Sequence, residues 1–361
     1  MIIAIDLTSL SYHITGIERY AACLTEKLLE RDKNNQYYLI FRSQIFEQLE
    51  RFVDNERVKA VVLEGKTKIV FLQLVLPKCL KKIKADRYLF FAFTSPFFFS
   101  KKGIYNTIHD MGAWDSGDSM KLFQKIYWKI MFKRAAKVSE GIITVSEYSK
   151  SRITKILKLP EKKVRVVYSA IYEGVTKDYG FTFNQLKEEY NLPNKYIMTL
   201  STLEPRKNME ILLKAFTKVQ ERVNYDLVLV GRKGWKMDEI INKYNTEKRI
   251  HITGFVDDKH LSVIYKNAMC FVFPSLYEGF GLPPVEALAL GTPVISSDAA
   301  SMPEILREQA VYFRNNSEEQ LSELLLSLEN NIKQMARKLS EEQLKDYQFE
   351  NSAKKLLDII S

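Results

Sequence analysis

Cysteine is scarce: Cys23, Cys79 and Cys270 are the only three in 361 residues, far apart and without a CxxC pairing. That usage excludes a disulfide-stapled scaffold and a thiolate zinc site, and it fits a reducing compartment. The four histidines (His13, His109, His251, His260) show no metal-ligand spacing, and no DxD occurs. Glycine (14) and proline (10) are few, while 46% of residues are hydrophobic, so the composition is not that of a disordered chain. No apolar run reaches the roughly 18 residues needed to cross a bilayer. The longest aromatic patch, YLFFAFTSPFFF at 88–99, is too short and contains a proline. Met1 leads directly into MIIAID, without the basic stretch and small-residue cleavage site of a secretory leader, so a cytoplasmic protein is expected.

The formal net charge is +10, and it is lopsided. Residues 1–180 carry +12 and the remainder −2. The first half is therefore suited to an anionic partner such as lipid, nucleic acid or a phosphorylated acceptor.

The length suits two domains, each with its own core. Short β-branched or aromatic runs recur in the first half, as IIAID (2–6), YYLIF (37–41), VKAVVL (58–63), IYNTI (104–108), GIITV (141–145) and VRVV (164–167). The second half repeats the theme with YIMTL (196–200), DLVLV (226–230), IHI (250–252), CFVF (270–273), PVISS (293–297) and VYF (311–313). Helical patterns lie between them. In MEILLKAFTKVQERV (209–223), Ile211, Leu212, Ala215, Phe216 and Val219 recur at helical spacing. Alternating strands and helices predict parallel sheets covered on both faces, hence an α/β protein of two doubly wound, Rossmann-like domains facing a cleft. The first domain is expected over 1–175 and the second over 190–344. The stretch 172–194, which lacks a strand pattern, reads as a linker.

Ligands bind at the carboxyl ends of the strands in such sheets, so the loops that follow strands hold the candidates. After YIMTLS comes TLEPRKN, which sets Arg206 and Lys207 just before a helix starting near Asn208, a good N-cap residue. Two cations at a helix N-terminus are repelled by its dipole, but they suit a bound dianion. After CFVFP comes SLYEGFGLPPVEALALGTPV (275–294). Pro283 and Pro284 suit the first turn of a helix, and the amides of Phe280, Gly281 and Leu282 would form an oxyanion cradle at its start. Glu278 on the entering loop and Glu286, expected on the first turn, would accept hydrogen bonds from ligand hydroxyls on either side of a phosphate. A sugar nucleotide has that layout.

EGFGLPPVE has the E-x7-E form of the retaining GT-B glycosyltransferases. TLEPRKNMEILLKAF, LVLVGRKGW (227–235) and the run from Thr253 to Ile305 resemble the C-terminal domain of glycosyltransferase family 4. Within it the sequence is most similar to the mannosyl- and rhamnosyltransferases of bacterial capsule and O-antigen synthesis. ITGIERY (14–20), TIHDMGAW (107–114) and IITVSEYSK (142–150) resemble the N-terminal domain of that branch more loosely. The resemblance implies a GT-B fold whose last helix, 345–361, returns to complete the first domain. It implies that Arg206 and Lys207 hold the donor diphosphate, that Glu286 binds the ribose, and that Glu278 binds the transferred sugar with the amides of Phe280, Gly281 and Leu282. Gly16 would approach the donor phosphate or acceptor, and His109 would lie beside the sugar and acceptor. The chain departs from the family with Thr15-Gly16 in place of a glycine pair and with Ser201 in place of a glycine.

Family members retain anomeric configuration. No second carboxylate pair suits a double displacement, so a front-face transfer without a metal or cofactor is expected. The donor would be GDP-mannose or a similar nucleotide sugar, and the acceptor a glycan or a polyprenyl-diphosphate-linked oligosaccharide. Lys121, Lys125, Lys129 and Lys133 recur every four residues and predict a basic stripe on one helix. Leu122, Phe123, Ile126, Ile130 and Met131 would serve a neighbouring face. That stripe suits peripheral attachment to the anionic inner face of the cytoplasmic membrane. Phe97 and Phe98, between a proline and two lysines, suit a greasy acceptor-side loop, although a plain core role is an equal reading. The alternatives are a GT-B sugar-nucleotide epimerase, which needs acid/base carboxylates in the first domain, and a non-catalytic basic membrane-binding module. Nucleic-acid binding lacks any RNP, KH or zinc signature.

Overall fold

Runs such as IIAID and DLVLV carry too few polar residues to face water, and the fold buries them on both sides. In the computed structural model, residues 1–10, 16–53, 55–65, 70–116, 120–202, 204–231, 243–244, 247–335 and 337–361 are described. Thr15 and the tail of LVLVGRKGW beyond Gly231 lie outside them, so the family departure at Thr15 and that part of the resemblance receive no structural account.

Among the described residues the chain forms two compact units, 1–170 joined by 345–361, and 171–344. The first holds β1 (Ile2–Asp6), β2 (Gln36–Arg42), β3 (Val58–Leu63), β4 (Arg87–Phe90), β5 (Ile104–Thr107), β6 (Gly141–Thr144) and β7 (Val164–Val166). Their order is β3-β2-β1-β4-β5-β6-β7, and each neighbouring pair is parallel. The second holds β8 (Tyr196–Leu200), β9 (Asp226–Val230), β10 (Ile250–Gly254), β11 (Cys270–Phe273), β12 (Val294–Ser297) and β13 (Ala310–Phe313), in the order β10-β9-β8-β11-β12-β13 and again parallel. This is the doubly wound α/β architecture expected from the alternating pattern. In each sheet the order reverses beside the first strand, between β1 and β4 and between β8 and β11. Loops leaving such neighbours diverge to opposite faces and open a crevice at the strand ends.

The helix Met209–Val219 buries Ile211, Leu212, Ala215, Phe216 and Val219 in the core of the second unit, against Leu227, Leu229 and Val272. Truncating a side chain such as Leu212 there costs about 2–5 kcal/mol. In the first unit the helix Phe349–Ile360 packs on the helix Gly16–Arg31, with Glu350 2.7 Å from Lys27 and the Ile360 carbonyl accepting from Arg87 Nε at 2.6 Å.

Two sequence readings change. The stretch 172–194 is not a free linker: it is helical over Glu173–Thr176 and Phe183–Tyr190, and it belongs to the second unit. Thr182 and Gln185 cap the latter helix reciprocally, a signal present in T-x-x-Q. The second change is β4, hidden inside the aromatic patch. Tyr88, Leu89 and Phe90 are all buried, so no alternation marks the strand off from the loop after it. Phe99 is core, its ring 5.0 Å from that of Tyr88, whereas Phe98 is exposed.

Candidate active site

The crevice of the second unit is built by the loops after β8 and β11. Pro205–Lys207 forms a single 3-10 turn, and Asn208 follows in the left-handed conformation at φ 53°. Asparagine tolerates that region better than most residues. Its side chain makes no cap to the Met209–Val219 helix, contrary to the sequence reading, and Nδ2 instead donates to Asn316 Oδ1 at 3.3 Å.

The second loop is stitched to the first through its backbone. Leu276 N donates to the Arg206 carbonyl at 2.9 Å. Arg206 Nη1 donates to the Tyr277 carbonyl at 3.2 Å. The consequence is a charge cluster centred on Glu278. Lys207 Nζ lies 2.6 Å from Glu278 Oε1, and Arg206 Nη1 lies 3.5 Å from Oε2. Ser275 Oγ donates to Oε1 at 2.6 Å. Ser301 Oγ donates to the Glu278 carbonyl at 3.1 Å, and Ser297 Oγ to the Ser275 carbonyl at 2.6 Å, so three serines fix the loop from beneath. Glu278 is buried, and burial pushes its carboxyl upward. The charges of Lys207 and Arg206 and the hydrogen bonds from Lys207 and Ser275 outweigh that push and hold it below its ordinary value.

The reading of the two cations therefore gains a third partner. The sequence suits the pair to a bound dianion, and the fold sets a carboxylate between them. Arg206 also meets Glu204 at 3.3 Å. An ammonium has three donors, and the Lys207–Glu278 contact uses one of them.

The helix Leu282–Ala289 begins two residues after Phe280. Gly281 precedes it at φ 88°, and a Cβ there would lie 2.4 Å from Met302 Cε. Only glycine meets both demands. Pro283 and Pro284 carry no N–H, so the first turn has fewer donors to satisfy, and no side chain among the described residues caps it. Glu286 falls on the second turn, not the first, because the helix starts at Leu282. It is buried, with Tyr265 Oη 3.4 Å from Oε2. Ser201 Oγ, at the end of β8, is buried without a hydrogen-bond partner among the described residues.

The first unit holds the other candidates. His109 follows β5, and its Nε2 sits 2.8 Å from the Phe91 carbonyl at the end of β4. A carbonyl only accepts, so Nε2 carries the proton and Nδ1 is left as an acceptor. Burial lowers the imidazole's pKa despite that hydrogen bond and the nearby charge of Asp110, which favours the neutral ring. The Tyr20 ring stands edge-on to it at 5.2 Å. Gly16 opens the helix Gly16–Arg31 on the carboxyl side of β1. Asp110 Oδ1 accepts from Gly112 N at 2.7 Å and braces its loop.

Two residues escaped the sequence reading. Ser275 fixes Glu278, and its only signal was its place three residues ahead of that glutamate. Asp6, the last residue of β1, is buried at the switch point of the first sheet. Burial raises its carboxyl to about 6, against hydrogen bonds from the Thr8 hydroxyl and amide. An acid closing an otherwise apolar strand was the clue.

The basic helix runs over Leu122–Val138, and its orientation corrects the sequence reading. Met131 and Ala135 are buried, Trp128 stacks on Phe93 and Phe132 on Trp114. Those rings take the inner face. Leu122, Phe123, Ile126 and Ile130 stand exposed, while Lys125 and Lys129 are half-buried and Lys129 leans over the Trp114 ring at 5.3 Å. The lysines flank an apolar ridge on a neighbouring face, as their spacing implies, but that ridge looks out to solvent and Met131 alone of the five turns inward.

Two doubly wound parallel units, the second with a cationic pair and a helix N-terminus at its switch point, define an α/β protein of GT-B type. Residues 182–346 match the family of glycosyl transferases group 1. The chain is 25% identical over 362 residues to the O-antigen chain mannosyltransferase B of Escherichia coli, covering 95% of this chain and 94% of that one. It is 28% identical over 226 residues to the O-antigen chain mannosyltransferase RfbU of Salmonella typhimurium, covering 62% and 60% of the two. It is also 33% identical over 186 residues to the serotype-specific mannosyltransferase WbdA of Escherichia coli, spanning 48% of this chain and 22% of that much longer protein. Among solved structures, Anabaena Alr3699/HepE in complex with UDP and glucose aligns over 99% of this chain and 98% of its own, with a TM-score of 0.74 at 14% identity. WaaG, a glycosyltransferase involved in lipopolysaccharide biosynthesis, aligns over 99% of both chains with a TM-score of 0.73 at 14% identity. The second unit thus matches the group 1 glycosyl transferases, and the chain has the GT-B fold with mannosyltransferase relatives in O-antigen synthesis.

Proposed function

We propose that the chain transfers a hexose, with mannose first among candidates, from a nucleoside diphosphate sugar to a glycan or polyprenyl-diphosphate-linked oligosaccharide in cell-surface polysaccharide synthesis. The observation that carries this reading is the Arg206–Lys207–Glu278 cluster at the β8/β11 switch point, next to the helix that begins at Leu282. Three relatives named as mannosyltransferases support the choice of sugar.

In this reaction the bond from the sugar's anomeric carbon to the diphosphate oxygen breaks, and its electron pair leaves with the phosphate. The acceptor hydroxyl bonds to the same carbon from the same face, and its proton passes to the departing phosphate oxygen. The configuration is retained. Lys207 and Arg206 stabilise the charge that grows on the leaving group, together with the Leu282 helix N-terminus. They do so without a metal ion. The Ser201 hydroxyl donates to a diphosphate oxygen. Glu278 is held by Lys207 and Ser275, so it orients the sugar's hydroxyls and the lysine instead of attacking carbon. Glu286 takes the ribose, and a ligand hydroxyl donates a hydrogen bond to Nδ1 of the neutral His109 ring. The basic first unit keeps the enzyme at an anionic membrane surface, where a lipid-linked acceptor resides.

The test is a panel of nucleoside diphosphates in thermal-shift format, followed by slow hydrolysis of the matching nucleotide sugars. One diphosphate at about 100 times its dissociation constant should stabilise the protein by about 2.7 kcal/mol. Hydrolysis should vanish in Lys207→Ala and in Glu286→Ala. A panel without any stabilising diphosphate, or hydrolysis indifferent to both changes, ends the reading.

A further inference from the structure

Three segments of the first unit meet at one side chain. Gln73 Oε1, in the helical run that starts at Phe71 and continues through Ile83, accepts from Phe97 N at 2.8 Å. Gln73 also hydrogen-bonds the Tyr127 hydroxyl of the Leu122–Val138 helix. Two turns beyond, Arg134 Nε donates to the Phe97 carbonyl at 3.0 Å, and its guanidinium lies 5.7 Å from the Phe97 ring. Around this junction large apolar side chains face solvent: Leu74, Phe98, Leu122, Phe123, Ile126 and Ile130 are each between 50% and 73% exposed. Nothing in the core explains them, since the inner face of each segment is already filled by Phe71, Leu80, Phe99, Met131 and Ala135.

The same segments are strongly one-signed. Residues 70–85, 91–103 and 120–139 together hold twelve Lys or Arg and no Asp or Glu. Helical spacing sets Lys78 one turn beyond Leu74, and Lys133 and Lys137 along the line that runs from Ile126 through Ile130. An apolar ridge edged by cations and free of acids matches an anionic bilayer surface: the apolar tips enter the headgroup boundary and the lysines meet the phosphates. A second copy does not match, because two such faces would set like charges against each other. A dry protein interface does not match either, because lysine is depleted there.

We propose that this face inserts its apolar ridge into the interface of an anionic membrane, so that attachment is by partial insertion and not by lysine attraction alone. The proposal deepens the membrane-surface reading above and rests on it; the contact itself is independent of which sugar is transferred.

The experiment uses the full chain and sedimentation with vesicles of phosphatidylcholine containing about a third phosphatidylglycerol, at low and at 0.5 M salt, where screening suppresses a contact made by charge alone. Wild type should bind, and a substantial bound fraction should survive high salt. Leu122→Ser/Phe123→Ser/Ile126→Ser should lose at least tenfold in partitioning at both salt concentrations. A second variant with Lys121, Lys125, Lys129 and Lys133 changed to Gln should weaken binding at low salt and leave the salt-resistant fraction. Circular dichroism and nucleotide thermal shift on the same variants should be unchanged, which separates surface loss from unfolding. Equal sedimentation of the triple serine variant and wild type overturns the proposal. So does binding abolished entirely by salt, or lipid-free self-association that the serine changes remove. Loss of nucleotide binding with vesicle binding intact would instead remove the transfer reading and leave this face standing.

Discussion

Replacing Lys207 with methionine keeps most of the side chain's length and removes its charge. At an effective dielectric of about 20, the attraction between Lys207 and Glu278 at 2.6 Å is about 6 kcal/mol, and that between Arg206 and Glu278 at 3.5 Å about 5 kcal/mol. Desolvating the buried ions offsets several kcal/mol of this. Breaking a buried pair by deleting one partner costs about 3–5 kcal/mol. Here Arg206 and Ser275 still hold the carboxylate, so a loss of about 2–3 kcal/mol is expected. For a unit of this size that lowers Tm by roughly 5–10 °C. Pairing the change with Glu278→Gln in a double-mutant cycle should return a coupling of about 1.5–3 kcal/mol. The carboxyl of Glu278 lies below its ordinary value of 4.5, so its contribution is present above that pH and is lost as pH falls through the folded value. The stability gap between wild type and Glu278→Gln should therefore narrow below about pH 4. On activity, kcat in Lys207→Met should fall about 10²–10³-fold, as for loss of one donor to a developing anion. Urea unfolding and steady-state transfer or hydrolysis check both numbers. A coupling under about 0.5 kcal/mol, the spread expected of independent sites, would refute the cluster as a functional unit.

Gly281→Ala imposes a side chain at φ 88° and 2.4 Å from Met302 Cε. A stability loss of about 1–3 kcal/mol is expected, and adding Met302→Ala should restore only the steric part, read by thermal unfolding. Ser275→Ala removes the hydroxyl 2.6 Å from Glu278 Oε1, so that carboxyl should titrate higher and the acidic limb of the pH–rate profile should move upward. An unmoved limb with reduced Tm would assign Ser275 to structure alone. Asp6 titrates at about 6, above its ordinary 3.8, because burial disfavours the charge. The folded state then binds the proton more tightly, so stability falls as pH rises from about 4 through 6. Asp6→Asn should flatten that slope and be more stable than wild type at pH 8 by about 2–3 kcal/mol, measured by urea unfolding across pH.

The amino-acid sequence by itself determined the two series of parallel strands, because fully buried β-branched runs alternating with helical patterns have few other solutions. It also determined that Arg206, Lys207 and Glu278 lie on loops after strands and that Glu286 lies in the helix that follows, since strand ends were legible from apolar runs that stop at polar residues. It could not separate β4 from the aromatic loop behind it, because uniform burial erases periodicity, and it set Glu286 one turn too early, because helix starts are fixed by local geometry at Gly281. Only the tertiary structure brought the β8 and β11 loops together, about 70 residues apart in the chain, so that a carboxylate expected to meet a sugar also joins two cations. It alone decided which side of the Leu122–Val138 helix faces inward: the rings of Trp128 and Phe132 found stacking partners in other segments, and that pairing turned the apolar ridge out toward solvent.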